Sequence, residues 1–234
     1  MRNDIVLKDK NSAHVIHRCV RGRDVKKWIL DYKNTWLIFI PRGQKIEKYP
    51  AVQEYLELFK KQLEPKPENW PDSKKWIGRK SGSYKWYELQ DPVKYADKFL
   101  VNKVVCPTLI SEASFAVDEN SFFGNDKTTI IVAPKPTVLA CLLNSSIIWW
   151  QLTKIAQTRQ NGYYEIKPVY LRRLFFPVIE REEETQLEKY GKAIIKAIKS
   201  KDEIKKKSIE KEIDSFVAKL FKLNSEDLSV ILNL

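Results

Sequence analysis

Two histidines, three cysteines and two carboxylate–lysine arrangements hold the reactive and metal-ligating chemistry open to this 234-residue chain. His14 and His17 stand three apart, a spacing that would set two imidazoles on one helix face. A metal needs further ligands and none cluster nearby, so a surface or core role is expected for both. Pro71-Asp72 with Glu88 downstream partly matches metal-dependent nucleases, whose carboxylates hold Mg²⁺ while a lysine assists the attacking water. Gln90 stands where that lysine belongs, and the triplet Glu165-Ile166-Lys167 lies beyond the usual spacing. In a chain this rich in Lys and Glu such triplets arise by chance, which leaves a small metal-dependent nuclease as an alternative only. Cys19, Cys106 and Cys141 are odd in number and have no Cys-x-x-Cys spacing. Glycine-rich dinucleotide and phosphate loops and a Gly-x-Ser-x-Gly elbow are missing. No catalytic residue, no metal and no cofactor is expected of this chain.

Charge is more telling. The chain carries 42 Lys+Arg against 30 Asp+Glu, a net +12. Residues 1–180 hold 30 basic and 19 acidic side chains, whereas residues 181–234 hold 12 and 11. A basic, aromatic-rich body with a balanced tail suits a polyanion partner for the body; a protein that is merely basic would look the same by charge alone. At 43% hydrophobic and 12% aromatic the chain has material for a sizeable core. No apolar stretch reaches the ~20 residues of a membrane span. The N-terminal charge has no apolar run behind it, so a cytoplasmic protein with no membrane partner is expected.

These residues need elements to position them. Trp36 to Ile40, Lys103 to Cys106, Ser114 to Val117 and Thr128 to Ala133 read as strands bounded by Pro, Asn, Asp or Gly. Asn125-Asp126 after Gly124 is placed as a hairpin turn between the last two. Helices are predicted over Ala51 to Leu63 and Pro136 to Ala156, the second a buried amphipathic helix. Two helical runs follow, Arg181 to Ser200 and Ile204 to Phe221, with a register slip near Lys201 and a short capped helix from Asn224 or Ser225 to near Leu232. The segment from Glu64 to Gln90 is rich in Pro, Lys and Trp, and reads as either a functional loop or a mobile one. The fold expected is α+β: a mixed sheet-and-helix body over 1–180, then a helical arm or spacer over 181–234.

One ordered set of motifs is more specific. Cys19-Val20-Arg21-Gly22-Arg23-Asp24-Val25-Lys26-Lys27-Trp28, with Trp36-Leu37-Ile38 close behind, resembles the start of the TaqI-like C-terminal specificity domain. That family belongs to adenine methyltransferases and type IIG restriction–modification enzymes, with relatives in type I specificity subunits. Tyr84 to Leu89 resembles its Trp-Tyr-Glu-Leu element, Lys103 to Phe115 its central strand, and Leu142 to Ser146 its Leu-Asn-Ser helix. Gly162 to Glu165 and Leu171 to Pro177 resemble the closing segment, and Val217 to Leu223 the terminal helix. The Asn/Asp-Pro-Pro-Tyr/Phe motif of the catalytic half is missing, and Asp91-Pro92-Val93-Lys94 fails it. The resemblance implies a sequence-specific double-stranded DNA recognition module separated from its methyltransferase, with or without a nuclease.

Such a module needs cations for phosphate and Arg, Lys, Asn or Gln for base edges. The candidates are Arg21, Arg23 and Lys26 in the first motif, and Lys74, Lys75, Arg79, Lys80 and Lys85 in the basic aromatic loop. Arg159, Gln160, Asn161 and Tyr163 complete them. Arg79 is expected at a base edge. Asp24 can equally pair with an arginine to fix the turn, and Asn161-Gly162 can simply end a helix. An RNA-binding factor is the remaining alternative. The arm over 181–222 is expected to pack partly on the body and partly on a missing partner.

Overall fold

The computed structural model describes residues 2–71 and 73–232 and divides into two compact units. Residues 1–19 with 34–97 form the first. It holds α1 (Arg2–Lys8), β1 (Ile16–Val20) but for its last residue, β2 (Trp36–Ile38), α2 (Pro50–Glu57) and α3 (Lys60–Leu63). β1 and β2 pair antiparallel in the register Ile16 opposite Ile38 and Arg18 opposite Trp36. Ile5, Val15, Ile16, Ile40, Ile46 and Val52 form the core, with Trp86 and Tyr87 packed on it. Pro50 opens α2 at a position where its missing N–H costs nothing. The single helix predicted over 51–63 is broken at Leu58-Phe59, because α3 buries no residue and has no apolar face to extend the packing.

The 64–90 segment is wound tightly on itself. Lys66 N–H donates to the Arg79 carbonyl (2.9 Å) and Arg79 N–H to that of Glu64 (2.8 Å). Trp70 and Trp76 meet edge to face at 4.8 Å. A Cβ on Gly78 would lie 2.3 Å from the Glu64 carbonyl oxygen, so only glycine allows the two chain segments to approach this closely.

Residues 20–33 with 98–234 form the second unit. Its strands are β3 (Lys103–Pro107), β4 (Leu109–Ile110), β5 (Ala116–Asp118), β6 (Phe123–Gly124), β7 (Thr128–Ile131), β8 (Gln157–Thr158) and β9 (Tyr164–Glu165). β3 is buried at every position and lies between β5 and β7, antiparallel to both. The turn at Asn125 is present, since Thr128 N–H donates to its carbonyl. It connects β6 to β7, however, and the predicted hairpin partners flank β3 instead of pairing. A second small sheet has the order β4-β9-β8.

The helices of this unit are α4 (Pro136–Leu143), α5 (Ser146–Ile155), α6 (Pro168–Leu171), α7 (Arg181–Lys199), α8 (Glu203–Leu220) and α9 (Ser225–Leu232). The helix predicted over 136–156 is two helices bent by 70°. Side chains in the break explain this. Asn144 accepts from Phe115 N–H (3.0 Å) and donates to its carbonyl (2.8 Å), while Ser145 caps α5 on Ile148 N–H. The slip near Lys201 is a true break, with Lys201 at φ +57°. Asn224 and Asp227 cap α9 reciprocally. Leu187, Ile194 and Ala197 of α7 and Ile209, Ile213 and Val217 of α8 share one core with Val104, Phe115 and Leu143. Gly191 makes the contact of α7 with α4 possible: its Cβ would lie 2.3 Å from Thr137 Cγ2. At the end of the central ladder Lys103 and Asp118, both fully buried, pair at 2.5 Å. No single helix among the described residues is long and apolar enough to cross a membrane.

Candidate nucleic-acid interface

The motif Arg21-Gly22-Arg23-Asp24 folds as one turn of 3-10 helix. Arg21 donates to both Asp24 oxygens (2.8 and 3.0 Å), and its own N–H also reaches Asp24 (2.9 Å). This guanidinium holds the Asp24 carboxyl below the usual carboxylate range. The structure therefore uses Arg21 and Asp24 to fix the turn. Gly22 faces protein, since a Cβ there would sit 2.5 Å from the Lys127 carbonyl oxygen. The side chains of Arg23 and Lys26 are exposed and form no side-chain hydrogen bond or ion pair with any described residue.

An open groove of about 700 Å³ runs beside this turn. Arg23, Lys26, Lys27, Lys127, Lys206 and Tyr163 line it, against two acids, Glu112 and Glu203. Three of the sequence candidates (Arg23, Lys26 and Tyr163) thus converge. Lys127 and Lys206 were missed. Lys127 lies in a turn 104 positions beyond Arg23, and Lys206 sits on a charge-balanced helix, so neither carries a local signal. Lys206 lies 3.3 Å from Glu203, and Lys27 lies 3.1 Å from Glu210. Burial raises the Glu210 carboxyl, but the Trp28 indole and the Lys27 ammonium outweigh it and leave the group below its ordinary value.

The hairpin tip between β8 and β9 carries the second candidate set. Asn161 and Gly162 take φ +61° and +72°, consecutive left-handed residues of the kind Asn and Gly tolerate best. The tip leaves Gln160 and Asn161 exposed, with no side-chain partner among the described residues. Arg159 is paired with Glu165, which also accepts from Lys167 at 3.0 Å. Lys167 first and Arg159 second hold the Glu165 carboxyl below its ordinary range.

The basic loop belongs to the other compact unit. Lys74, Lys75, Lys80 and Lys85 are exposed. Arg79, expected at a base edge, has its guanidinium committed to carbonyls: Leu63 (2.6 Å), Glu88 (2.7 Å), Trp86 (2.7 Å) and Lys85 (3.2 Å). It also lies 4.6 Å over the Tyr84 ring. Glu88 of the Trp-Tyr-Glu-Leu element is buried and accepts from Gly43 N–H and Lys85 N–H, both at 2.8 Å.

The nuclease alternative gains nothing from these positions. Glu88 and Glu165 are tied as described, Asp72 lies outside the described residues, and no group of three His, Cys, Asp or Glu among the described residues could hold a metal. His14 ends a 3-10 turn and His17 lies on β1, so the two do not share a helix face. The three cysteines are buried and form no disulfide, with the Cys106 and Cys141 thiols pushed up to about 12 by burial.

A family model described as a TaqI-like C-terminal specificity domain matches residues 17–178. No curated protein matches the sequence significantly. Among solved structures, the type IIL restriction–modification enzyme MmeI in complex with DNA superposes with a TM-score of 0.64 at 13% identity, covering 100% of this chain and 33% of that one. That likeness shows the fold. The chain spans about a third of that enzyme's length.

Proposed function

The chain belongs to the family of TaqI-like C-terminal specificity domains, and on that premise we propose that it reads a double-stranded DNA sequence for a restriction–modification enzyme of the adenine methyltransferase or methyltransferase–nuclease type. The family match over residues 17–178 carries this proposal. The basic groove supports it chemically, because five cations against two acids suit a phosphate backbone. The solved relative with the same fold was determined bound to DNA. The chain's partners are then duplex DNA and a methyltransferase, with or without a nuclease, in the cytoplasm. Catalysis belongs to that partner, and this chain supplies the address.

In this division of labour residues 1–180 carry the DNA contacts apart from Lys206, and 181–234 otherwise form the spacer. Arg23, Lys26, Lys74, Lys75, Lys80 and Lys85 take phosphates, which position without specifying. Gln160 and Asn161 reach base edges from the hairpin tip, where an amide can pair bidentately with adenine. Tyr163 lies against the backbone, and Arg159 joins once it exchanges Glu165 for DNA. Arg21 and Arg79 are reassigned to shaping their loops. The test is titration of a random-sequence duplex at two salt concentrations. Affinity that falls steeply with salt is expected; no binding at low salt, or binding indifferent to salt, rejects the proposal.

A further inference from the structure

The turn that brings Lys26 and Lys27 to the groove is held from outside itself. Lys26 N–H donates to the Ile29 carbonyl (2.9 Å) and Ile29 N–H to that of Lys26 (3.3 Å), so Lys27 and Trp28 are the central residues of a tight turn. Trp28 sits there at φ +75°. Turns of this shape put Gly or Asn at that position, and a bulky side chain in it is an outlier. Three contacts hold it. Trp28 N–H donates to the Phe115 carbonyl (3.0 Å), the ring is buried at 4% exposure, and the indole N–H donates to Glu210 Oε1 (2.8 Å). The same oxygen lies 3.1 Å from Lys27 Nζ. Glu210 comes from α8, which also places Lys206, one turn earlier, in the groove wall.

We propose that Glu210 is a positioning residue for the phosphate grip: by pinning Trp28 it keeps the strained turn in the shape that presents Lys26 and Lys27 to the DNA backbone. The C-terminal helices are then a working part of the grip and not only a spacer. This inference rests on the proposed function in one respect, that the ligand is duplex DNA. A carboxylate beside a phosphate groove is unfavourable as charge alone, and its presence is explained by the bond to Trp28.

That opposition gives the test its sign. Glu210→Gln and Glu210→Ala both remove one negative charge, but glutamine still offers an oxygen to the indole. Binding of the full chain to a random-sequence duplex is followed by fluorescence anisotropy across a salt series. Glu210→Gln is expected to bind at least as tightly as the unmodified protein. Glu210→Ala is expected to bind about tenfold more weakly, with a salt slope smaller by about two, one for each displaced lysine. In a Lys26→Ala/Lys27→Ala background Glu210→Ala should cause no further loss. Equal affinities for the two Glu210 variants, or a loss that persists without the lysines, overturns the positioning role. Should Glu210→Ala fail to fold, Trp28→Phe keeps an aromatic side chain but removes the indole donor together with the ring that carries it; affinity unchanged from the unmodified protein then overturns the proposal. Failure of the unmodified chain to bind duplex at low salt is a separate result, seen before any variant, and rejects the DNA reading itself.

Discussion

Arg79→Ala separates a loop-shaping arginine from a base-reading one. The guanidinium donates to four carbonyls, three of them at 2.6–2.7 Å. A net hydrogen bond contributes about 1 kcal/mol and one from a charged donor somewhat more. The lower figure is taken for each of the three short bonds. The Tyr84 face at 4.6 Å adds about 0.5–1 kcal/mol. The loss expected is therefore about 3–4 kcal/mol, a large share of the 5–15 kcal/mol typical of a folded domain. Arg79→Lys, with one ammonium in place of a planar fork, should recover no more than about half of that loss. Urea unfolding followed by the fluorescence of Trp70, Trp76 and Trp86 reads the effect where it arises. On DNA the same variant should weaken every sequence alike, through disorder of the loop that bears Lys74, Lys75 and Lys80. An unfolding midpoint that does not move, together with affinity lost only on a preferred sequence, would refute this reasoning and return Arg79 to a base edge.

Four further outcomes are expected. Asp118→Ala leaves the Lys103 ammonium buried without its carboxylate, and should cost about 3–5 kcal/mol in chemical denaturation, whereas Lys103→Met with Asp118→Leu should recover only part of it, because the Phe122 N–H and the Phe99 carbonyl also lose their partners. Gly191→Ala drives a Cβ to 2.3 Å from Thr137 Cγ2 and should destabilise by about 1–3 kcal/mol; adding Thr137→Ser, which removes that methyl, should restore thermal stability. Lys26→Ala should lower the salt slope by about one on any duplex, while Asn161→Ala should leave the slope intact and cost about 1–3 kcal/mol only on the preferred sequence. Because Asp24 is held below its ordinary range, its stabilising contribution is complete above about pH 4 and is lost as pH falls through the lowered value; Asp24→Asn should flatten that acid limb of a stability–pH curve and leave its neutral part level.

How much was visible in the sequence depends on how local each cause is. The strand at Lys103 and the two C-terminal helices came from apolar periodicity alone, and the break near Lys201 from a slip in that periodicity. The bend between α4 and α5 left the apolar pattern intact, because Leu139, Leu142, Ile147 and Trp150 all point into one core. What turns the chain there is Asn144 holding the backbone of Phe115, 29 positions earlier. The local pattern also hid the order β5-β3-β7, in which β5 and β7 flank β3 and do not pair with each other. It also hid Lys103, which reads as an ordinary strand-edge lysine until Asp118 stands opposite it. At the site, Arg23, Lys26 and Tyr163 were legible as types suited to DNA. The carbonyl partners of Arg79 were not legible. A guanidinium that reaches carbonyls folded around it has the same composition and neighbours as one that reaches guanine.

Sequence discrimination by the chain alone is the measurement closest to the heart of the proposed function. A preferred duplex is selected from a random library with the unmodified protein, and its affinity is then compared with random duplex at 0.15 M salt, where screening suppresses much of the phosphate term. At least about tenfold tighter binding to the selected sequence is expected, the discrimination of a single bidentate base contact. Asn161→Ala should relax that preference at one base pair. No enriched sequence, or equal affinity for selected and random duplexes, would mean that the groove and the hairpin tip grip DNA without reading it.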